Sequence, residues 1–224
     1  WEGYVAAFRD AGWEVIELPA LPEHPDGVFV EDAAVVFGDL AVIARPGAPS
    51  RREETRGLAT RFAAMGFEIA EIEPPGHLDG GDVLKVGSTV YVGRSSRTDE
   101  SGIEQLRSIV QWRGAHLVEV PVTKALHLKS CLTALPDGTI VGFEPLVDEP
   151  ARFPRLRLSE EESGAHVVDL GDGSVLLTAR TERSAALIAN RGFEPVVCDI
   201  GEFEKLEGCV TCLSVRLRTA PRHR

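Results

Sequence analysis

The chain has 224 residues, 43% of them hydrophobic and 26% charged, with a formal net charge of −11 at pH 7, a balance that suits a globular protein with a substantial core. That acidity argues against nucleic acid and anionic membranes as main partners, since both need a basic patch, and favours a cationic small molecule. No apolar run is long enough to span a bilayer and the start does not read as a signal peptide, so cytoplasmic residence is expected.

In chain order, WEGYVAAFRDAG (1–12) reads as an amphipathic helix and GWEVIEL (12–18) as a strand. A hairpin follows, AAVVFGDLAVIA (33–44), then a helix over Arg51–Met65 with Ser50 as candidate cap, then the strand GFEIAEI (66–72). The phrase repeats as the hairpin DVLKVGSTVYVG (82–93), a helix over Asp99–Trp112 and the strand GAHLVEV (114–120). A third hairpin, CLTALPDGTIVGF (131–143), is followed by Glu144–Phe153, whose two prolines exclude a regular helix throughout. The fourth is HVVDLGDGSVLLT (166–178), with a helix over Thr181–Asn190, capped by Thr178 or Thr181, and the strand GFEPVVC (192–198). GCVTCLSVRLR (208–218) reads as a lone strand, and the Arg-rich end, Arg216 to Arg224, as a solvated tail.

Repeats of one supersecondary unit imply a solenoid or a ring. A ring would pair the lone strand with one ahead of Trp1, so the expected architecture is α/β, about five ββαβ units around a pseudo-fivefold axis, as a single domain over 1–224. Helices are expected outside, with strand ends meeting at a central channel.

Chemistry-bearing residues gather at the ends of these elements. Glu31 and Asp32 stand at the start of the first hairpin, and Arg51 and Arg52 at the mouth of the following helix, a pairing of both charge signs that suits a zwitterionic ligand. Asp79 and Asp82 flank a glycine pair, Arg97 follows the second hairpin, and His127 and Cys212 lie at later boundaries. Each has an ordinary structural explanation when taken alone: solvated charges, an Asx turn, a structural histidine, a small buried cysteine. Together they form a set for nucleophilic attack on a charged amino acid. The four cysteines make no disulfide framework, and Cys209-x-x-Cys212 lacks a second ligand pair and would project to opposite strand faces, so no metal site is expected.

The stretches PDGVFVEDAAVV (25–36), RPGAPSRREE (45–54), LDGGDVL (78–84), RTDESGIEQL (97–106), ALHLKS (125–130) and TCLSV (211–215) are similar to those of the dimethylarginine dimethylaminohydrolases, guanidine-modifying enzymes related to arginine deiminases. The resemblance covers almost the whole chain and implies a five-bladed α/β propeller, in agreement with the repeat count. It implies that Cys212 attacks the guanidinium carbon of a methylated arginine, that His127 protonates the departing amine and then activates water, and that Asp79 orients His127. Asp32 would grip the guanidinium, with Glu31 and Asp26 lining the same pocket. Arg51 and Arg97 would bind the substrate carboxylate, and the Leu206 carbonyl the substrate amine. Arg52 is left as a solvated helix residue. Citrulline would be the product and no cofactor is needed, because the substrate's own charge makes its central carbon electrophilic. The resemblance also places the family's first strand and lid loop ahead of Trp1. A monomer or homodimer acting on a small molecule is expected. An arginine deiminase, or a hydrolase of another substituted guanidine, is the nearest alternative, and a non-enzymatic binding protein on the same fold the remote one.

Overall fold

The structure, a computed structural model, describes residues 1–218. Four three-stranded sheets are present among these residues: β1 (Ala34–Phe37), β2 (Leu40–Ile43) and β3 (Glu68–Glu71); β4 (Val83–Val86), β5 (Thr89–Arg94) and β6 (His116–Pro121); β7 (Leu132–Ala134), β8 (Ile140–Gly142) and β9 (Leu156–Leu158); β10 (Val168–Gly171), β11 (Ser174–Thr178) and β12 (Glu194–Cys198). In every sheet the first two strands form an antiparallel hairpin and the third lies parallel to the middle one. A parallel third strand demands a crossover. Helices α2 (Leu58–Ala64), α3 (Glu100–Val110) and α4 (Glu182–Asn190) supply three of the four. The third crossover has only short 3-10 turns at Glu144–Leu146 and Pro150–Arg152, as its prolines dictate. Helices α1 (Glu2–Asp10) and α5 (Gly201–Glu204) complete the α/β set.

By internal contacts the chain divides into two compact units. Trp1–Pro19 with Lys129–Thr211 holds the last two sheets with α1, α4 and α5, and Ala20–Leu128 with the segment from Cys212 holds the first two sheets with α2 and α3. In the first of these, Leu135, Val141, Val175, Leu177 and Ile188 pack into one core, and α1 turns Tyr4, Val5 and Phe8 inward.

The second unit positions the candidate site. Its β1–β2 hairpin is buried on both faces: the pair Val35–Val42 enters a core with Ile103, Leu106 and Val110, and the pair Val36–Ala41 enters another with Leu58, Phe62 and Phe67. Ile103, Leu106 and Val110 form one fully buried stripe of α3 at helical spacing, each contributing roughly 1.5–3 kcal/mol by leaving water. Asp99 caps that helix, its Oδ1 accepting from the Gly102 amide at 2.7 Å and from the His77 amide at 3.1 Å. One side chain thus ties the loop after β5 to the segment ahead of Asp79.

Several expectations fail for identifiable reasons. GWEVIEL (12–18) and GCVTCLSVRLR (208–218) are not strands, since neither has a ladder partner among the described residues and isolated strands leave their amides unpaired. The fifth unit is therefore not assembled as a sheet among these residues. The helix expected over Arg51–Met65 is two pieces: Pro49–Thr55 winds as a 3-10 helix, Arg56 is extended, and Gly57, at φ +80°, starts α2 afresh. Ser50 caps nothing. Thr181 holds the N-cap position of α4, but its hydroxyl donates to the Thr178 carbonyl instead of capping. β9, whose alternation of leucine and arginine is only three residues long, had no counterpart among the expected strands. Arg216 is not solvated tail but a half-buried residue, and positions 219–224 of that tail lie outside the described residues.

Candidate active site

Two 3-10 turns form the base of the site, Val30–Ala33 ahead of β1 and Gly80–Asp82 ahead of β4. They approach so closely that a Cβ on Gly80 would collide with the Glu31 carbonyl. The Gly81 amide donates to Asp32 Oδ1 at 2.9 Å. A Cβ on Gly81 would stand 2.6 Å from Asp32 Oδ1 and 2.8 Å from the ring of His127. Gly81→Ala is therefore expected to destabilise the fold by about 1–3 kcal/mol through overpacking. A urea midpoint equal to that of the parent protein would contradict this contact.

Around these turns lie the buried aspartates Asp32, Asp79 and Asp82, with the equally buried Glu31 beside them, and one buried imidazole. His127 Nε2 donates to Asp79 Oδ2 at 3.0 Å, and its Nδ1 lies 3.8 Å from Asp32 Oδ1. Asp79 Oδ1 accepts from the Gly47 amide at 2.9 Å. Asp82 Oδ1 accepts from the Leu128 amide at 2.9 Å, and its Oδ2 from the hydroxyls of Ser95 and Thr98 at 2.6 and 2.7 Å. Each of the three aspartates thus receives one backbone amide. Burial alone lowers the pKa of His127, but the charge of Asp32, the hydrogen bond donated to Asp79 and the charge of Asp82 outweigh it and raise the imidazole to about 9. Burial pushes Asp82 up to about 6 against the opposing pull of His127 and its three hydrogen bonds.

Asp32, Asp79 and His127 offer ligand atoms within 4.8 Å of one another. With the pKa of His127 raised by these neighbours, the group pairs one imidazolium with two carboxylates.

Arg51 is buried and pairs directly with Asp32, Nη1 to Oδ2 at 2.6 Å. Its Nε and Nη2 also reach Glu54, at 3.0 and 2.8 Å to Oε2, and Nη2 reaches the carbonyls of Asp26 and Phe29 at 3.1 and 3.2 Å. At least four of its five N–H groups are thereby engaged. Asp32 and Arg51, expected to take the two charged ends of a substrate, contact each other directly in the structure. Glu31 Oε1 accepts from Arg216 Nη2 at 3.0 Å, while its backbone amide donates to the Cys212 carbonyl at 3.0 Å. Cys212 is thus docked one residue away from Asp32 along the chain and is partly exposed. Asp26 reaches the cluster through its carbonyl, and its side chain faces solvent. Arg52, expected in solvent, is half-buried and donates to the Pro46 carbonyl at 3.2 Å.

Arg97 sits on the loop after β5 with its Nη1 buried and without a hydrogen-bond partner among the described residues. Leu206 belongs to the other unit, just after α5, and is exposed. Sequence reasoning missed Glu54 and passed over Asp82. The available signals were a carboxylate three residues after an arginine, and a second aspartate beyond the glycine pair.

Residues 18–173 match the arginine deiminase family model. A dimethylarginine dimethylaminohydrolase of Streptomyces coelicolor is 56% identical over 218 residues, 97% of this chain and 84% of that one. A solved structure of the Pseudomonas aeruginosa enzyme of that name, a cysteine-to-serine variant complexed with citrulline, superposes with TM-score 0.89 at 30% identity, covering 96% of this chain and 86% of that one. A dimethylarginine dimethylaminohydrolase variant solved as an adduct with S-methyl-L-thiocitrulline matches with the same score, identity and coverage.

Proposed function

This chain belongs to the arginine deiminase family and, within it, to the dimethylarginine dimethylaminohydrolases, and from that membership we propose that it hydrolyses asymmetric dimethylarginine and monomethylarginine to citrulline and an alkylamine. The observation that carries the proposal is the buried His127, held protonated at neutral pH between Asp79 and Asp32. A proton donor must already carry its proton when the leaving amine departs.

In the proposed reaction Cys212 Sγ, as thiolate, attacks the guanidinium carbon and forms a C–S bond. The C–N bond to the methylated nitrogen breaks, and His127 gives that nitrogen its proton. The S-alkylthiouronium that remains is attacked by water, whose proton goes to the now neutral His127. Collapse breaks the C–S bond and expels the Cys212 thiolate, and loss of the remaining hydroxyl proton to solvent, where the released amine takes it up, leaves citrulline. Asp79 keeps the imidazole in orientation, and Asp32 holds the substrate cation against the thiol and so favours its ionisation. Glu31 with its side chain, and Asp26 through its backbone carbonyl on Arg51, support the pocket beside Asp32. Arg97, with a buried Nη1 lacking a partner among the described residues, supports the assignment of a substrate carboxylate ligand. Arg51 primarily fixes Asp32, with at most one N–H left for the substrate, and the family resemblance alone gives the substrate amine to the Leu206 carbonyl. No metal or organic cofactor has a step in this sequence. The chain is proposed to act as one catalytic domain, monomer or homodimer, in the cytoplasm; no described helix is long and apolar enough to cross a membrane.

Because the matching family model is named for arginine deiminase, unsubstituted arginine is the competing substrate. Citrulline release from asymmetric dimethylarginine, monomethylarginine and arginine, measured side by side, tests the proposal. Release from the two methylated substrates is expected. Release from arginine alone would make the protein a deiminase, and release from none would overturn both readings.

A further inference from the structure

Asp82 is fully buried, yet no step of the proposed reaction uses it. Its surroundings are unusually connected. The Ser95 hydroxyl, which donates to Asp82 Oδ2, accepts the amides of Arg97 at 2.9 Å and Thr98 at 3.2 Å. The Thr98 hydroxyl, which donates to the same oxygen, accepts the amide of Asp79 at 3.1 Å. The other carboxylate oxygen takes the amide that follows His127. We infer that Asp82 is a positioning residue whose one carboxylate fixes the backbone behind His127, the loop that carries Arg97 and the backbone of Asp79 in a single arrangement. The inference rests on the roles proposed above for those three residues.

The direction of every bond in this network depends on an acceptor-only group at its centre. Each hydroxyl owns one proton, gives it to Asp82, and so leaves its lone pairs for backbone amides. An amide in the same place satisfies only one side. With its nitrogen toward the hydroxyls, their protons lose their acceptor; with its nitrogen toward Leu128, two N–H groups face each other. Water cannot fill the gap easily, because even a Cβ on Gly93 would lie 2.5 Å from Asp82 Oδ1. Charge adds to geometry: the charged groups facing His127 are Asp32, Asp79 and Asp82, with Arg51 behind Asp32.

The test compares Asp82→Asn, Ser95→Ala and Thr98→Val with the parent chain. His127 is titrated by NMR without substrate, its signal assigned by loss in His127→Gln, and KM and kcat for dimethylarginine are measured on the same samples. Asp82→Asn is expected to lower the titration midpoint of His127 by about one pH unit and to raise KM about tenfold. Ser95→Ala removes one of the two hydroxyls on Asp82 and the acceptor of the Arg97 and Thr98 amides, but keeps the Asp82 charge and its bond to the Leu128 amide, and is expected to raise KM while leaving the His127 midpoint in place. An Asp82→Asn protein that melts lower but keeps the parent midpoint and KM overturns the inference, because that is the signature of a purely structural residue. Should Asp82→Asn fail to fold, the hydroxyl variants decide: a raised KM in Ser95→Ala and a reduced kcat in Thr98→Val support the inference, and parent values in both overturn it. If the parent chain releases no citrulline, the functional reading fails separately, and the His127 titration in Asp82→Asn alone decides for or against the positioning role.

Discussion

Cys212→Ser is expected to reduce citrulline release on the order of 10⁴-fold or more, while leaving the fold and its melting temperature close to those of the parent chain. The size of the effect follows from His127. A serine nucleophile needs a base to take its proton, and an imidazole held at about 9 is already protonated at neutral pH. A thiol can lose its proton unaided when a cationic substrate lies beside it, whereas an alcohol cannot. The fold is preserved because Cys212 is docked by its backbone carbonyl, which accepts from Glu31 and is indifferent to the side chain. Acid-quenched samples analysed by intact mass are expected to show a covalent adduct on the parent protein and none on the variant. Citrulline release surviving in Cys212→Ser would remove this cysteine from the mechanism.

Asp32→Ala is expected to cost about 3 kcal/mol of stability and roughly 10²-fold or more in kcat/KM. The side chain serves three partners at once: the Arg51 guanidinium, the Gly81 amide and, electrostatically, His127. Its loss leaves Arg51 with Glu54 as its carboxylate partner among the described residues, beside the Asp26 and Phe29 carbonyls, and deprives the buried Gly81 amide of its acceptor. The pH dependence discriminates the electrostatic part. In the folded chain His127 is raised from its ordinary 6.5 to about 9, so its contribution to stability is fully present below 6.5 and is lost as the pH rises through 9. Without Asp32 the folded value moves back toward 6.5. The stability gap between parent and variant is therefore expected to be widest below about pH 6.5 and to narrow as the pH climbs past about 9. Urea denaturation at several pH values across that window measures the gap. A gap that stays constant would mean that Asp32 and His127 do not interact.

Much of this arrangement was legible in the sequence because it is written locally. The hairpins announced themselves through apolar runs on either side of turn residues such as Gly38-Asp39 and Gly87-Ser88, and β1–β2 and β4–β5 form where those signals lie. Segments such as GWEVIEL carry the same local signal but join no sheet among the described residues, because a strand also needs a neighbour that no local pattern supplies. The break at Arg56–Gly57 was hidden by helical periodicity that continues across it. At the site, residue types and the family resemblance singled out the charged residues and His127, but not who pairs with whom. Asp32 and Arg51 are 19 positions apart, and opposite charges at that separation suggest a bipolar ligand as readily as an internal pair. Glu54 resembled any exposed carboxylate on a helix until the 3-10 winding of Pro49–Thr55 turned it, with Arg51, inward.

The amides of Gly47, Gly81 and Leu128, which each hold one carboxylate of the cluster, belong to the main chain. No side-chain substitution at these three positions deletes its hydrogen bond, apart from proline, which also bends the chain. An alanine scan would therefore register these positions only through shape, and would credit the anchoring of Asp79, Asp32 and Asp82 to their side-chain partners alone. Their energetic share becomes visible only by exchanging single peptide links for esters, which removes the donor and keeps the path of the backbone. In that sense the carboxylates are held by the course of the loops, and a related chain can change many side chains here while inheriting the same electrostatic centre.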